Sequence, residues 1–187
     1  TPLKTAIFAF SIIFACLPFS RLLAKLIEDK QTTLTIGGAS FAAIVTVPAA
    51  IMVMNHFAGT NDNDPVFPII PTLGALSVSY TIGEGLGRLA CISFGCCYGK
   101  RLSECGQLTQ RLFSRYNFVF SGETKKIDYE SCSQRVTVVP VQAITASLYV
   151  AAGLIGLYVW LSDYQTMALG LTIVVTQGWR FLSEFLR

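Results

Sequence analysis

VTVVPVQAITASLYVAAGLIGLYVWLS, residues Val136–Ser162, is an apolar run that contains no Asp, Glu, Lys or Arg. The run is longer than the roughly 20 residues that a helix needs to cross a bilayer. In lipid, every backbone polar group must be bonded internally, which leaves helices and closed barrels as the only spanning structures. The run lacks the alternating, roughly ten-residue segments of a barrel. It therefore predicts a membrane-spanning helix.

Similar apolar segments recur along the rest of the chain. The composition agrees, because 13% of the residues are charged, against about 25% in soluble domains. We expect an all-α, polytopic membrane bundle that forms a single domain over residues 1–187. Since the sequence begins without Met and could be a piece of a longer chain, its helix count is taken as a minimum. The five predicted membrane helices are about Thr5–Ile27, Leu34–Phe57, Val66–Ser93, Val136–Leu161 and Thr166–Arg187.

Charged residues are sparse and concentrate in one long loop. Residues 99–135 hold seven of the fourteen basic residues, and we expect this loop to form a small extramembrane cap. A net charge of +3 without a basic stripe argues against nucleic-acid binding. The high apolar content argues against disorder. The partner that the composition implies is lipid.

The six cysteines raise the questions of metal binding and disulfide formation. We expect no metal site, because the single histidine, His56, lies in another segment from the adjacent pair Cys96 and Cys97. If the long loop faces an oxidising compartment, Cys105 and Cys132 are the natural disulfide. Otherwise both are free thiols of a cytosolic loop.

GEGLGRLACISFGCCYG, residues Gly83–Gly99, is the stretch most typical of a functional site. Glu84 and Arg88 are four residues apart on one helical face. An arginine at membrane depth is costly unless it faces a partner or an aqueous cavity. The glycines allow a ligand or another helix to approach the backbone closely. A local ion pair that lets the helix end lie in the interface is the alternative explanation.

A second charged face closes the chain in RFLSEFLR, residues Arg180–Arg187. Arg180, Glu184 and Arg187 share one side of a helix. Two arginine-bearing faces can converge on one anion, and the planar guanidinium suits a phosphate because it donates paired hydrogen bonds. Alternatively, Glu84 and Glu184 neutralise the arginines, and Arg187 anchors the helix at the interface.

Together these motifs resemble the prolipoprotein diacylglyceryl transferases, a family of bacterial inner-membrane enzymes. The resemblance lies in Gly87-Arg88, the spacing from there to Gly95 and Gly99, Pro140-Val-Gln142, and the closing Arg-Phe-x-x-Glu-Phe-x-Arg. The Gly-Cys-Cys-Tyr-Gly version of the signature resembles a divergent branch of that family.

The resemblance implies a transfer reaction that needs neither metal nor cofactor. Family members move the diacylglyceryl group of phosphatidylglycerol to a prolipoprotein cysteine, so phospholipid and prolipoprotein are the implied partners. Arg88 and Arg180 match arginines that we would assign to the lipid phosphate, with Glu84 or Glu184 as the base. The implied substrate-binding residues are Gly87, Gly95, Tyr98, Gly99, Gln142 and Arg187.

The resemblance also implies a location in the bacterial inner membrane. It places the signature and the long loop on the outer face, where a disulfide is chemically reasonable. The positive-inside rule, applied to the basic residues of the loop, would place it in the cytoplasm. We follow the family, because a folded cap can cross the membrane despite its charge.

The chain departs from the family at the groups that would handle protons. The family signature has Asn, Asn and Glu where this chain has Cys91, Phe94 and Cys96, and a functional histidine of the family corresponds to Ala42. In the glutamine stretch, the His, Tyr and Glu of the family become Val139, Ile144 and Thr145.

Three hypotheses about function stay open. The first is a diacylglyceryl-type transferase that acts on another acceptor. The second is a catalytically inactive lipid-binding or scaffold subunit of a membrane complex. In the third, Cys96 or Cys97 is a nucleophile that takes a lipid group, or the two form a redox pair, since a nearby arginine can activate a thiol. Small-residue helix packing is the alternative explanation for these cysteines.

Overall fold

The structure, a computed structural model, describes residues 2–28, 36–57, 66–120 and 136–186. These residues are mostly helical, which confirms the predicted all-α class. A 3-10 turn at Leu102–Glu104 and one antiparallel pair of short strands are added to the helices. The helices are α1 (Pro2–Glu28), α2 (Ile36–Phe57), α3 (Ile69–Phe94), α4 (Gln107–Phe113), α5 (Val141–Leu161) and α6 (Gln165–Glu184), and the strands are β1 (Phe118–Val119) and β2 (Thr137–Val138).

The five long helices lie at the predicted segments, but two of them begin later than predicted. The prediction that α5 begins near Val136 was wrong, because Thr137–Val138 pairs with β1. Residues 136–139 are all β-branched, which favours a strand, and Pro140 caps the following helix. The predicted start of α3 at Val66 was also early, since the side chain of Asn55 bonds the backbone N–H and C=O of Phe67 at 2.9 and 3.0 Å.

Two stretches of the described chain are long and apolar enough to cross a membrane. They are Thr5–Leu22 and Val141–Leu161, and only 11% and 33% of their residues are buried. The central helix of a soluble protein would be mostly buried, so this exposure fits a lipid-facing position better. The arrangement of five membrane-spanning helices stays a prediction.

The chain divides into two compact units, Thr1–Ile69 and Ile70–Arg187. In the first unit, α1 packs along α2. The thiol of Cys16 contacts the hydroxyl of Thr46 at 2.9 Å, and the rings of Phe8 and Phe67 stack with centroids 4.6 Å apart. The predicted single domain over residues 1–187 stays a prediction.

In the second unit, α3, α5 and α6 pack through small residues. A Cβ atom on Gly85 of α3 would lie 3.0 Å from the side chains of Tyr149 and Val150 on α5. A Cβ atom on Gly156 of α5 would lie 2.9 Å from the side chain of Thr172 on α6. Close approach at small residues is the usual way for helices to associate in a membrane, where apolar side chains gain little from leaving lipid.

Buried hydrogen bonds join the same helices. The hydroxyl of Tyr149, which is fully buried, donates to the carbonyl oxygen of Thr176 at 2.9 Å. The indole nitrogen of Trp179 donates to the hydroxyl of Thr145 at 2.7 Å. These bonds fix the rotation of α6 against α5, and thereby the direction in which Arg180 points.

The chain between α3 and α5 forms a small packed region next to the helix ends. Its apolar cluster consists of Tyr98, Phe118, Phe120, Val136 and Val138. Strand pairing places Phe118 opposite Val138. Within the predicted cap over 99–135, the structure describes residues 99–120, and the remainder lies outside the described residues.

Candidate functional site

Three charged side chains, Glu84, Arg88 and Arg180, meet where α3 and α6 approach each other, and we call them the arginine cluster. The Oε1 atom of Glu84 accepts a hydrogen bond from Arg88 at 2.8 Å and from Arg180 at 3.3 Å. Glu84 and Arg88 are nearly buried, whereas 36% of the Arg180 side chain is exposed. The two arginine-bearing faces therefore do converge, and the anion that joins them is Glu84.

The cluster follows from helical spacing. Tyr80, Glu84 and Arg88 are each four residues apart, which places them on one face of α3. Arg180 crosses from α6 and also donates to the hydroxyl of Tyr80 at 3.4 Å. Sequence reasoning missed Tyr80, although its position four residues before Glu84 was a usable signal.

The cluster has an excess positive charge and an open hydrogen-bond acceptor. Two guanidinium groups against one carboxylate leave a net charge of +1. The second carboxylate oxygen of Glu84, Oε2, is buried and has no hydrogen-bond partner within the part of the chain that the structure describes. Buried polar atoms nearly always have a partner. The cluster thus has the net charge to hold one anion, and the Tyr80 hydroxyl also hydrogen-bonds the Glu84 carboxylate.

Helix α3 ends in a turn that gathers cysteines. Gly95 has a φ of 64°, a left-handed conformation that glycine adopts without strain. Its N–H donates to the Ile92 carbonyl at 3.3 Å, and the N–H of Cys96 donates to the Cys91 carbonyl at 3.1 Å. This pattern is a Schellman motif, which brings the residue after the glycine back over the last helical turn. It therefore places Cys96 beside Cys91.

Cys91, Cys96 and Cys97 form what we call the cysteine cluster. Their three sulfur atoms all lie within 4.8 Å of one another. Burial, followed by the hydrogen bond with Cys91, raises the pKa of the Cys96 thiol to about 12. Because the thiolate is the attacking form, this shift argues against Cys96 as a free nucleophile. Cys97 is exposed.

Gln142 supports the cysteine turn from α5. Only 1% of Gln142 is exposed, and its amide nitrogen donates to the carbonyl of Cys96 at 2.8 Å. Its amide oxygen is buried without a hydrogen-bond partner among the described residues. The structure therefore gives Gln142 a positioning contact, while its predicted contact with substrate stays a prediction.

Replacing Gln142 with alanine should destabilise the protein by about 1–3 kcal/mol, because the Cys96 carbonyl loses its donor inside the protein. The midpoint of thermal unfolding in detergent micelles measures the effect. Gln110 is a matched control, since its amide makes the same 2.8 Å bond to the carbonyl of Cys105 in a more exposed region. An equal loss in both alanine variants would contradict the positioning role.

Gly87 and Gly99, two of the glycines in the signature, have different surroundings. A Cβ atom on Gly99 would lie 2.7 Å from the Val141 side chain and 2.8 Å from the carbonyl oxygens of Val139 and Leu186. A Cβ atom on Gly87 would meet no atom within 4 Å in the described part of the chain. Gly99 is therefore required for packing, whereas Gly87 leaves a patch of exposed backbone beside Arg88.

We expect Gly99→Ala to lower the free energy of unfolding by about 1–3 kcal/mol, because the added methyl group overpacks against fixed backbone. Gly170 on α6 is the control, since a Cβ there meets nothing within 4 Å in the described chain. Gly170→Ala should be neutral or stabilise by up to about 1 kcal/mol. Thermal unfolding compares the two, and equal midpoints would refute the packing account.

The remaining predicted site residues are placed as follows. Tyr98 packs in the apolar cluster, with its ring centroid 6.5 Å from that of Phe120. Glu184 lies exposed at the last residue of α6, one turn beyond Arg180. The thiol of Cys105 donates to the Arg101 carbonyl at 3.3 Å. Arg187 and Cys132 lie outside the described residues, so the contact of Arg187 and the Cys105–Cys132 disulfide stay predictions.

The arginine and cysteine clusters are neighbours. Arg88 belongs to the first and interacts electrostatically with Cys91 and Cys97 of the second. The site thus combines a cationic group that can hold an anion with a set of thiols at the end of the same helix.

Comparison of the whole chain with known protein families, with curated proteins and with solved structures found no match.

Proposed function

We propose that the protein is a membrane transferase that moves a diacylglyceryl group from phosphatidylglycerol to a thiol or another acceptor. The observation that carries this proposal is the convergence of Arg88 and Arg180, from two helices, on the single carboxylate of Glu84. Such an arrangement holds two guanidinium groups in fixed positions at the end of an apolar bundle. Guanidinium groups bind phosphates through paired, charge-assisted hydrogen bonds.

The charge of the arginine cluster matches a phospholipid. Its net charge of +1 is neutralised by the single negative charge of a phosphodiester. When the bond between glycerol carbon and phosphate oxygen breaks, the departing glycerol phosphate gains a second negative charge. Positioned cationic donors stabilise charge that develops in this way, and they do so most strongly where water is excluded. Arg88 and Arg180 therefore have the properties needed to stabilise the leaving group.

The open oxygen of Glu84 supports a headgroup that carries hydroxyl groups. Its Oε2 atom is a buried acceptor that lacks a donor among the described residues. The glycerol headgroup of phosphatidylglycerol offers such a donor beside its phosphate. In this arrangement Glu84 has two roles: it holds both arginines through Oε1 and accepts a headgroup hydroxyl through Oε2.

The proposed reaction is a displacement at carbon. The sulfur of the acceptor thiol forms a bond to the terminal glycerol carbon of the lipid, and the bond from that carbon to the phosphate oxygen breaks. The electron pair of the broken bond leaves with glycerol phosphate. The thiol proton passes to a base, for which Glu184 is exposed and one helical turn from Arg180.

Exposed apolar side chains support a membrane location with several spans. On α5 and α6, Tyr158, Val174 and Phe181 are 73%, 71% and 68% exposed. Apolar faces of this extent mark contact with lipid or a partner. We propose the bacterial inner membrane, crossed by the five long helices, with the cap and the cysteine turn on the outer side.

An inactive lipid-binding or scaffold subunit is the second candidate. The specific observation in its favour concerns Thr145, which stands where the resembling family has Glu. The hydroxyl of Thr145 donates to the Val141 carbonyl and accepts from Trp179, both at 2.7 Å. Because its only proton is donated to a backbone carbonyl, Thr145 does not replace the family's Glu in proton transfer.

Release of glycerol phosphate tests the two candidates. The full chain, reconstituted in phosphatidylglycerol vesicles, is incubated with a lipobox peptide or with the same peptide carrying Ser in place of Cys. A transferase releases glycerol phosphate and yields a lipid-modified peptide only with the cysteine peptide. Vesicles of phosphatidylcholine serve as the headgroup control. A folded protein that retains lipid but releases no glycerol phosphate with either peptide would contradict the transferase and favour the subunit.

A further inference from the structure

The cysteine cluster is a set of soft ligands held by the fold. Cys91 is the fourth residue from the end of α3, Cys96 follows the glycine turn, and Cys97 comes next. Their sulfur atoms are within 4.8 Å of one another. Thiolates in such proximity are the preferred donors for zinc and for other thiophilic ions. The adjacent pair alone suggested no metal site, and the fold adds the third ligand.

We propose that Cys91, Cys96 and Cys97 bind one Zn²⁺ ion, or a similar thiophilic divalent cation, through three thiolates. The required geometry is close to the one present. A Zn–S bond of about 2.3 Å places sulfur ligands roughly 3.8–4.0 Å apart in tetrahedral or trigonal coordination. Since the sulfur atoms already lie within 4.8 Å of one another, each separation needs to shorten by about 1 Å at most.

The backbone around the cluster is shaped to hold these side chains. The Schellman bonds fix Cys96 over Cys91, and the buried amide of Gln142 bonds the Cys96 carbonyl at 2.8 Å. Cys97 has a φ of 55°, a conformation that costs energy for a residue with a side chain. Strain of this kind persists where the surroundings determine it, and it is frequent at functional sites.

The proposed site lies beside a cationic group. Binding converts three thiols to thiolates and releases three protons to the solvent. A dication with three thiolates has a net charge of −1. Arg88, which is within electrostatic range of Cys91 and Cys97, reduces the cost of this charge, although Arg88 is also paired with Glu84. A cationic neighbour is useful because an uncompensated charge beside the membrane is costly.

Three protein ligands leave the fourth position of a tetrahedral ion open, as in catalytic zinc sites. If the proposed function holds, a metal held by the three cysteines would offer this position to the acceptor thiol and lower the pKa of that thiol, whose proton would still pass to Glu184. The cysteines then supply the activation of the acceptor that the replaced polar residues of the signature would have provided. This role rests on the proposed function, whereas the metal site itself does not.

A titration of the full chain with Cd²⁺, in detergent and under reducing conditions, tests the metal site. We expect one equivalent to bind with a thiolate-to-metal charge-transfer band, and Zn²⁺ to abolish the band by competition. Cys91→Ser and Cys96→Ser should each weaken binding by at least about tenfold, since loss of a supporting group alone costs roughly 10–100-fold. Cys16→Ser, in the first unit, is the matched control and should bind like the unchanged protein.

Two results would overturn the metal site. One is the absence of a charge-transfer band, or a band that persists in the Cys91→Ser/Cys96→Ser double variant. The other is a protein that, isolated without reductant, contains a disulfide between two of these cysteines and no metal. The titration involves no lipid and no acceptor, so its failure leaves the transferase proposal standing, and a failed transferase assay leaves the metal site standing.

Discussion

Arg180→Ala is expected to lower the rate of glycerol phosphate release by about 10²–10³-fold, which is the usual effect of removing one donor that stabilises developing negative charge. Arg88→Ala is expected to lower the rate of release by a similar factor. Both side chains bond the same carboxylate oxygen, so each variant leaves a single guanidinium to hold the phosphate. Initial rates in phosphatidylglycerol vesicles with the cysteine peptide measure the effect.

Two further variants make this result interpretable. Arg180→Lys keeps the positive charge but loses the planar fork, so we expect it to recover only part of the lost rate. Arg111→Ala changes an exposed arginine of α4 and should leave the rate unchanged. Full activity in Arg180→Ala, with the protein folded, would refute the assignment of Arg180 to the phosphate.

Glu84→Gln is expected to destabilise the protein by about 3–5 kcal/mol, the usual cost of removing one partner from a buried ion pair. The glutamine leaves Arg88, which is 9% exposed, and Arg180 as neighbouring positive charges without a carboxylate between them. The midpoint of thermal unfolding in detergent micelles measures the loss.

An exposed ion pair of the same chain provides the comparison. Glu104 pairs with Arg101 at 3.8 Å, and their side chains are 60% and 42% exposed. Glu104→Gln should therefore change stability by no more than roughly 0.5 kcal/mol. Removing Arg180 together with Glu84 should restore part of the stability lost in Glu84→Gln, because it removes the repulsion between the arginines. Equal unfolding midpoints for Glu84→Gln and Glu104→Gln would show that the arginine cluster does not stabilise the fold.

Apolar run length was sufficient to predict where the long helices lie, but not where each begins. Residues 136–139 are as apolar as the helix that follows, and only their pairing with β1 makes two of them a strand. The four β-branched residues before Pro140 were a local signal for a strand, but the apolar run alone does not separate a strand from a helix, and the partner strand β1 lies elsewhere in the sequence. Likewise, the residues just before α3 are held at Phe67 by the side chain of Asn55, which lies on α2.

The sequence predicted the charged residues of the candidate site and two of its three thiols, Cys96 and Cys97, but it did not indicate Cys91. Spacing of four residues identified Glu84 with Arg88, and the late Arg180 was expected to meet the same anion. Sequence spacing left open whether the arginines would meet on a lipid phosphate or be neutralised by Glu84 and Glu184, and in the structure both arginines bond Glu84. Cys91 was separated in sequence from Cys96, and the left-handed turn at Gly95 brings them together.

The central claim is that the arginine cluster holds the phosphate of a phospholipid. Native mass spectrometry of the full chain, purified in mild detergent from phosphatidylglycerol vesicles, measures this directly as the fraction of protein that retains one lipid. We expect the unchanged protein to retain one phosphatidylglycerol, and the fraction that retains it to be at least about tenfold lower for Arg180→Gln, since a fork-like, charge-assisted contact is lost. Equal retention by the two proteins, both folded, would contradict it.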